Sequence, residues 1–258
     1  MKMFSKSRAG KLGVKFGTLA VAALLVTGVG ATAAPARKPA AAPAHKAAPG
    51  NWGTLVTVTA DGSHMLGNPK APTQVTEFVS YTCPHCAHFT KESDVPLRQT
   101  MVPKGQVAMT VTNLLRNPID LTIAMLTTCG DPKRFFTRHN AFLATQDIWM
   151  AKLNTLGEDR QKRWYEGDIQ ARMRLIAADF DFYSMVAPWG VSHAQADQCI
   201  NDKAAFAKLE QQQKTVQAVG ATSTPSFVLD GKLLDVHDWA GLSQALSVKQ
   251  ASQRKGSI

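Results

Sequence analysis

The tetrapeptide Cys-Pro-His-Cys at positions 83–86 is the feature that most constrains how this 258-residue chain folds. An apolar, β-prone run that starts at Thr76 leads into it through a short Tyr-Thr turn, and loose helical spacing follows as far as Phe89. The pattern predicts a β-strand that passes directly into a helix, with both cysteines at the junction.

This junction is predicted to activate the first cysteine. A helix N-terminus carries about half a positive charge and free N–H donors, both of which favour a thiolate over a thiol. Pro84 suits the first helical turn, where its missing N–H costs nothing, and His85 adds a donor or a positive charge that lowers the thiol pKa further. We predict a nucleophilic, partly exposed Cys83, with Cys86 one helical turn behind it to resolve a mixed disulfide.

The same motif has two other interpretations. It could be half of a zinc site with His85 or His88 as a further ligand, but closed structural zinc sites need four ligands and the sequence has no second C-x-x-C or C-x-x-H pair. A purely structural disulfide between Cys83 and Cys86 would close a very short loop and gain little chain entropy. Both interpretations explain the motif less well than a redox couple does.

A targeting segment is predicted at the N-terminus. Five Lys or Arg residues precede an apolar run from Phe16 to Val29, and small residues follow at positions 31–34. We predict a cleavable signal peptide over residues 1–34, with an uncleaved membrane anchor as the alternative because the apolar run is nearly long enough to span a bilayer. Residues 35–50 are rich in Pro and Ala without apolar periodicity, which predicts an extended linker.

The net charge is concentrated in these first fifty residues. The whole chain has a formal charge of +10, from 29 Lys and Arg against 19 Asp and Glu, but residues 1–50 hold eight of the basic residues and no acidic ones. The remainder is close to neutral, which argues against nucleic acid as a partner. Four cysteines in a chain that is predicted to be exported fit an oxidising compartment.

The remaining residues are predicted to form two halves of a sheet with helices between them. The predicted segments, in chain order, are a first sheet-containing part over 51–116, a helical insertion over 117–220, a second sheet-containing part over 221–248 and a polar tail over 249–258. In the first part, strand, helix and strand follow one another and predict a parallel pair of strands. Val95-Pro96 and then Val102-Pro103-Lys104-Gly105 are predicted to end the helical structure that starts at Cys83, and Asp230-Gly231 to form a hairpin turn. Ser192 is predicted to cap a helix that runs to Ile200.

Glu77 is a polar residue inside the otherwise apolar strand before the motif. It could face outward from the strand. Alternatively it is a buried carboxylate beneath the cysteines, with a pKa raised by desolvation, that relays protons to and from Cys86.

Cys129 and Cys199 fall at the ends of two predicted helices in the insertion. Both could be small, buried and inert thiols. In an oxidising compartment, a structural disulfide that clamps the helical insertion is the preferred interpretation.

Three features occur together in this chain: Phe78-Val79-Ser80-Tyr81-Thr82-Cys83-Pro84-His85-Cys86, a helical insertion, and Thr224-Pro225 before a strand and a Gly turn. In these features the chain resembles the DsbA-like thiol:disulfide oxidoreductases of the thioredoxin superfamily, in their exported bacterial branch, over roughly residues 56–248. The resemblance implies an α/β, thioredoxin-like fold, a central mixed β-sheet flanked by helices with an inserted helical domain. It also implies an enzyme, a protein disulfide oxidoreductase.

The resemblance implies a role for each residue of the site. Cys83 would be the surface nucleophile, Cys86 its buried partner, and His85 the group that stabilises the Cys83 thiolate. Glu77 falls where the family has its buried acid. Thr224-Pro225 would carry a cis peptide that faces the disulfide and binds extended substrate backbone.

The resemblance also implies partners and a location. The substrates would be unfolded or partly folded exported proteins with free cysteines, a membrane protein would re-oxidise the enzyme, no cofactor would be needed, and the enzyme would work in the periplasm. One residue departs from the best-known oxidase, which has valine before the cis proline where this chain has Thr224. Since a hydroxyl there can hydrogen-bond a thiolate, a disulfide isomerase or reductase remains the alternative. An exported binding or zinc-holding module without redox activity is the alternative of another class.

Overall fold

The computed structural model describes residues 50–255. The predicted signal peptide over 1–34 and all but the last residue of the predicted linker over 35–50 lie outside the described residues. Within residues 50–255, no helix combines the length and the apolar character that crossing a membrane requires.

The strands of the described residues are β1 (Val56–Val58), β2 (His64–Leu66), β3 (Gln74–Val79), β4 (Ala108–Asn113), β5 (Ser226–Leu229) and β6 (Lys232–Leu233). They form one mixed sheet in the order β1-β2-β4-β3-β5-β6. The pair β3–β4 is parallel, as predicted, and the other neighbouring strands are antiparallel. β3, which leads to the Cys-Pro-His-Cys motif, therefore lies inside the sheet, between β4 and β5.

The α-helices of the described residues are α1 (Pro84–Ser93), α2 (Pro118–Thr127), α3 (Phe135–Ala144), α4 (Gln146–Met150), α5 (Glu158–Lys162), α6 (Ile169–Asp179), α7 (Phe182–Val186), α8 (His193–Ile200), α9 (Lys203–Val219) and α10 (Trp239–Lys255). Helices α2–α9 lie between β4 and β5 in sequence, and we call them the helical block. The predicted fold class, a mixed sheet flanked by helices with a helical insertion, is confirmed.

Side-chain caps start several helices of this block. The Asn117 side chain accepts hydrogen bonds from the N–H groups of Ile119 and Asp120, both at 3.0 Å. Ser192 and Gln195 form a reciprocal capping box at the start of α8. Such caps satisfy N–H groups that have no partner within the helix, which is why the start predicted after Ser192 agrees with the structure.

Of the two segments predicted to end the helix that starts at Cys83, Val95-Pro96 does not end it, and that part of the prediction was wrong. The helical structure ends at the second segment, Val102-Pro103. α1 continues as a π-helical segment, Asp94–Met101, and the chain leaves the helix only before Pro103. In an α-helix, the proline ring would clash with the carbonyl four residues earlier, whereas the wider π turn relieves this clash. The N–H of Val102 accordingly bonds the Leu97 carbonyl, five residues before it, at 3.0 Å.

The tail predicted from residue 249 was also placed too early, because α10 runs to Lys255. The Lys249 ammonium lies 2.9 Å from the Asp230 carboxylate, and the Gln253 side chain donates to the Pro72 carbonyl at 2.9 Å. These contacts with residues far away in sequence hold the last turns of the helix. The local polar sequence gives no sign of them.

Candidate active site

Cys83 is the N-cap residue of α1 and follows the short turn after β3. Its backbone is extended (φ −90°, ψ 117°), and Pro84 begins the helix. Cys83 and Cys86 are both free thiols, and Cys83 is 3% exposed while Cys86 is fully buried. The cysteines thus lie at a strand-to-helix junction, but Cys83 is more buried than the sequence suggested.

Hydrogen bonds lower the pKa of Cys83 to about 4 from its ordinary value of 9.0. The largest effect comes from the hydrogen bond with the Cys86 thiol, and further bonds come from the Thr224 side chain and from the backbone N–H groups of Cys86 and His85. Together they outweigh burial, which favours the neutral thiol. Cys83 is therefore a thiolate at neutral pH.

Thr224 faces the Cys83 sulfur with two groups. As a thiol, Cys83 donates to the Thr224 carbonyl, with 3.0 Å between sulfur and oxygen. In that state the Thr224 hydroxyl is buried and has no hydrogen-bond partner among residues 50–255. Once Cys83 has lost its proton, the sulfur can accept from this hydroxyl, which lowers the Cys83 pKa. The peptide bond between Thr224 and Pro225 is cis.

Cys86 has the opposite acidity. Burial raises the pKa of its thiol well above 9.0, and the hydrogen bond to Cys83 and the charge of Glu77 raise it further. Cys86 is therefore protonated over the physiological pH range. Two neighbouring thiols with opposite acidities can form a disulfide from which one sulfur leaves easily and the other does not.

Glu77 lies in β3, beneath the cysteines, and is fully buried. The interpretation of an outward-facing side chain was therefore wrong. Neither carboxylate oxygen has a hydrogen-bond partner among the described residues. Burial, and then the charge of Cys83, raises the pKa of Glu77 to about 8, so that the acid is mostly neutral at pH 7.

His85 contributes to the site through its backbone. Its N–H bonds the Cys83 sulfur, whereas the side chain is exposed, and no hydrogen bond from the imidazole to that sulfur occurs among the described residues. The predicted role of the imidazole in stabilising the thiolate thus has no direct contact to support it.

Residues of the helical block hold the turn before Cys83, and sequence analysis did not single them out. The Asp120 carboxylate accepts from the Thr82 N–H at 2.9 Å and from the Ser80 hydroxyl at 2.8 Å. The Asn117 side-chain amide donates to the Thr82 hydroxyl at 2.8 Å. The helix cap is visible in the sequence around Asn117, but its contact with a turn 35 residues earlier has no local signal.

A groove of about 650 Å³ opens beside Pro84, between α1 and the corner of α3 and α4. Charged and apolar side chains line it together, among them His88, Lys91, Leu143 and Asp147. The groove thus lies next to the motif, on the side of the helical block.

Cys129 and Cys199 are joined by a disulfide that links the end of α2 to α8 across 70 residues of sequence. Among the described residues, no group of three or more His, Cys, Asp or Glu side chains is arranged to hold a metal ion. Cys129 and Cys199 thus form a disulfide, whereas Cys83 and Cys86 are free thiols.

Comparison with known proteins decides the family. The sequence model of the family described as Thioredoxin matches residues 59–247, well over half of the chain. The chain belongs to the thioredoxin family. The match includes both free cysteines of this thioredoxin-family protein, its helical block and the segment around Thr224.

Relatives of this thioredoxin-family protein are disulfide-exchange proteins by name. A crystal structure of protein-disulfide isomerase from Novosphingobium aromaticivorans is 43% identical, with a TM-score of 0.70, over 74% of this chain and 99% of that one. A predicted protein-disulfide oxidoreductase of Rickettsia typhi is 26% identical over 75% of this chain, and the match spans 64% of that protein's length.

The crystal structure of Wolbachia pipientis alpha-DsbA1 has the same fold, with a TM-score of 0.56 at 19% identity, over 78% of this chain and 97% of that one. The predicted resemblance is thereby confirmed at the level of the family and the fold, which is that of DsbA. Protein-disulfide oxidoreductase, the predicted enzyme class, is what a matched relative of this thioredoxin-family protein is named, and another is named a protein-disulfide isomerase.

Proposed function

We propose that this chain oxidises the cysteines of substrate proteins by transferring its Cys83–Cys86 disulfide to them. The observation that carries the proposal is the contrast between the two thiols, one with a pKa of about 4 and the other with a pKa well above 9.0. A disulfide between such sulfurs is easily reduced, because reduction releases the stabilised Cys83 thiolate.

The reaction starts from the oxidised enzyme. A substrate thiolate attacks the Cys83 sulfur, the bond to Cys86 breaks, and its electron pair leaves on Cys86, which takes up a proton. Glu77 is the acid suited to supply that proton, since it is mostly neutral at pH 7 and so still carries its proton. After it ionises, its negative charge raises the pKa of Cys86, which shows that the two groups interact. The products of this step are a mixed disulfide and a Cys86 thiol.

A second substrate thiolate completes the transfer. It attacks the substrate sulfur of the mixed disulfide, and Cys83 leaves as a thiolate because its low pKa makes it a good leaving group. The substrate loses two electrons and gains a disulfide, while the enzyme gains the two electrons as a dithiol. Another oxidant must then restore the Cys83–Cys86 bond.

The direction of transfer depends on pH through Cys83. Its folded pKa of about 4 lies below the ordinary value of 9.0, so the thiolate stabilises the reduced protein fully above pH 9 and loses this effect as the pH falls through 4. At pH 7 a large part of the effect remains. Oxidising strength should therefore fall as the solution becomes acidic.

The test is the equilibrium of the Cys83–Cys86 couple with glutathione at pH 7, followed by thiol trapping. We expect a potential near about −120 mV, the value typical of strong protein oxidants of this fold. A potential near about −250 mV would contradict the proposal, because such a dithiol donates electrons to substrates.

A disulfide isomerase or reductase is the second candidate. It is favoured by the Thr224 hydroxyl opposite the Cys83 sulfur and by the 43% identity with a protein named as a protein-disulfide isomerase. Refolding of a scrambled, disulfide-containing substrate separates the two candidates. An isomerase restores activity to that substrate when supplied in reduced form, whereas an oxidase acts on the reduced substrate when supplied in oxidised form.

The proposal includes a place of action. Basic residues, an apolar run and small residues over 1–34 support export to the periplasm by a cleavable signal peptide. The substrates would be unfolded or partly folded exported proteins with free cysteines, and a membrane protein would re-oxidise the enzyme. Cell fractionation with mass spectrometry of the mature N-terminus tests the location, and recovery of an uncleaved chain in the membrane fraction would favour an anchor.

A further inference from the structure

The side chain of Gln146 connects the helical block to the catalytic turn. Gln146 is the first residue of α4 and is 5% exposed. Its side-chain Nε2 donates to the carbonyl of Tyr81 at 2.6 Å and to the carbonyl of Cys83 at 2.9 Å. One amide group thus bonds the backbone on both sides of Thr82, from a helix more than 60 residues further along the chain.

The Cys83 carbonyl is also the first acceptor of α1. It receives the N–H of Cys86 at 3.1 Å and that of Ala87 at 3.3 Å. Gln146 adds a third donor from the side, so the peptide plane that follows Cys83 is tied both to the helix and to the helical block. The orientation of this plane determines where the Cys83 sulfur lies relative to the N–H groups of the first turn.

The Tyr81 carbonyl depends on the same amide. Among the described residues, the Tyr81 carbonyl accepts no hydrogen bond other than the one from Gln146. The Tyr81 side chain is buried as well, with its hydroxyl 3.0 Å from the His139 ring and 3.2 Å from the Thr127 hydroxyl. Rotation of this part of the turn would therefore leave a buried carbonyl without a partner, which is costly.

We propose that Gln146 is a positioning residue for disulfide exchange, because its amide clamps the backbone from Tyr81 to Cys83 so that the Cys83 sulfur stays between the first turn of α1 and Thr224. The inference rests on the proposed function, since it explains how the helical block acts on the reacting sulfur. Gln146 itself does not touch that sulfur in any described hydrogen bond.

The clamp has an electrostatic consequence for the thiolate. Carbonyl oxygens are negative ends of dipoles, and a donor that binds them reduces their repulsion of a nearby anion. Without Gln146 the carbonyls are freer to turn toward the sulfur, and the N–H donors that stabilise it are held less firmly. Loss of the amide should thus raise the pKa of Cys83.

The test is the thiolate absorbance of Cys83 in the ultraviolet, titrated in the reduced full-length protein and in two variants. Gln146→Met keeps the volume of the side chain and removes both donors. The matched control is Gln161→Met, because the Gln161 Nε2 also bridges two backbone carbonyls of the helical block, those of Leu153 at 3.3 Å and Leu156 at 2.8 Å. Thermal unfolding of each variant measures the structural cost.

We expect Gln146→Met to raise the pKa of Cys83 by about one unit, and Gln161→Met to leave it unchanged even where the two variants lose similar thermal stability. An unchanged Cys83 pKa in Gln146→Met would overturn the inference, and so would equal increases in both variants, which would indicate general loosening of the block. If Gln146→Met does not fold, Gln146→Asn, which keeps an amide but is one carbon shorter, is judged by the same two criteria.

This titration needs neither a substrate nor a redox partner. A wild-type protein that donates electrons to glutathione-poised substrates would refute the proposed oxidase function, while the dependence of the Cys83 pKa on Gln146 could still be measured by the titration. The two proposals can therefore fail separately.

Discussion

The two cysteine pairs of this protein lie at opposite ends of helices. Cys83 is the N-cap of α1, whereas Cys129 follows the C-cap of α2 and Cys199 lies in the last turn of α8. The first pair is a free dithiol and the second is a disulfide. The same functional group is thus placed in two opposite electrostatic settings.

The difference shows how a backbone selects which thiols react. A helix N-terminus presents N–H groups and a partial positive charge that stabilise a thiolate, whereas a C-terminus presents carbonyls and a partial negative charge that disfavour one. A disulfide whose sulfurs are poor leaving groups resists exchange. The pair at Cys83 is therefore suited to exchange, and the pair at Cys129 is suited to persist.

The largest expected effect comes from removing the reacting sulfur. Cys83→Ser should reduce oxidation of a reduced substrate protein to the uncatalysed rate, because serine cannot form the mixed disulfide. The double variant Cys129→Ser/Cys199→Ser is the control and should keep most of the exchange rate per folded molecule. Retained activity in Cys83→Ser would place the reactive pair elsewhere and reverse the comparison.

The same double variant, which is expected to keep its exchange activity, should lose stability. Opening a loop of about 70 residues is expected to cost about 4 kcal/mol in the free energy of unfolding, by the chain-entropy estimate. Urea unfolding of both proteins, with Cys83 and Cys86 in the same redox state, measures this. An unaltered unfolding midpoint, or a changed Cys83 pKa, would mean that the two pairs are not as separate as the structure indicates.

Glu77 sharpens the contrast, because it is a buried acid beneath Cys83 and Cys86 that has no hydrogen-bond partner among the described residues. Its folded pKa of about 8 exceeds the ordinary 4.5, so the buried acid destabilises the folded protein. This destabilisation is absent below pH 4.5 and increases as the pH rises to about 8. We expect Glu77→Leu to stabilise the reduced protein by about 2 kcal/mol at pH 8 and by less at pH 4.

The same substitution should slow the step in which Cys86 exchanges its proton. Stopped-flow reduction of the oxidised enzyme, measured from pH 6 to 9, follows that step. A stability gain without a slower reaction would assign Glu77 a cost and no role in exchange.

Sequence patterns predicted the parts of the site that depend on neighbouring residues. The strand, the turn and the helix start around Cys83 are local, and so are the cap at Ser192 and the hairpin at Asp230-Gly231. The parallel pair followed from the order of elements alone.

The parts that were missed depend on contacts between distant segments. β2 has only three residues and is a strand because β1 and β4 flank it. Asp120 and Gln146 are ordinary helix residues in sequence, and only the fold brings them to the turn before Cys83. Burial of Cys83 itself arises in the same way, since a local pattern does not show what packs over it.

The smallest expected effect compares the Thr224 hydroxyl with the His85 imidazole as the group that stabilises the Cys83 thiolate. Thr224→Val keeps the shape of the side chain and removes the buried hydroxyl that can bond the thiolate, so it should raise the pKa of Cys83 by about one unit. His85→Ala is the matched variant, because it removes an exposed imidazole and keeps the backbone N–H that reaches the sulfur. Its effect on the same ultraviolet titration should be smaller than that of Thr224→Val.

The order of these two effects is the decisive result. If His85→Ala raised the Cys83 pKa more than Thr224→Val did, the imidazole charge would stabilise the thiolate through space, as the motif alone suggested. The expected order instead means that the reactivity of this cysteine pair comes from fixed hydrogen-bond donors around Cys83, which α1 and the Thr224 segment supply.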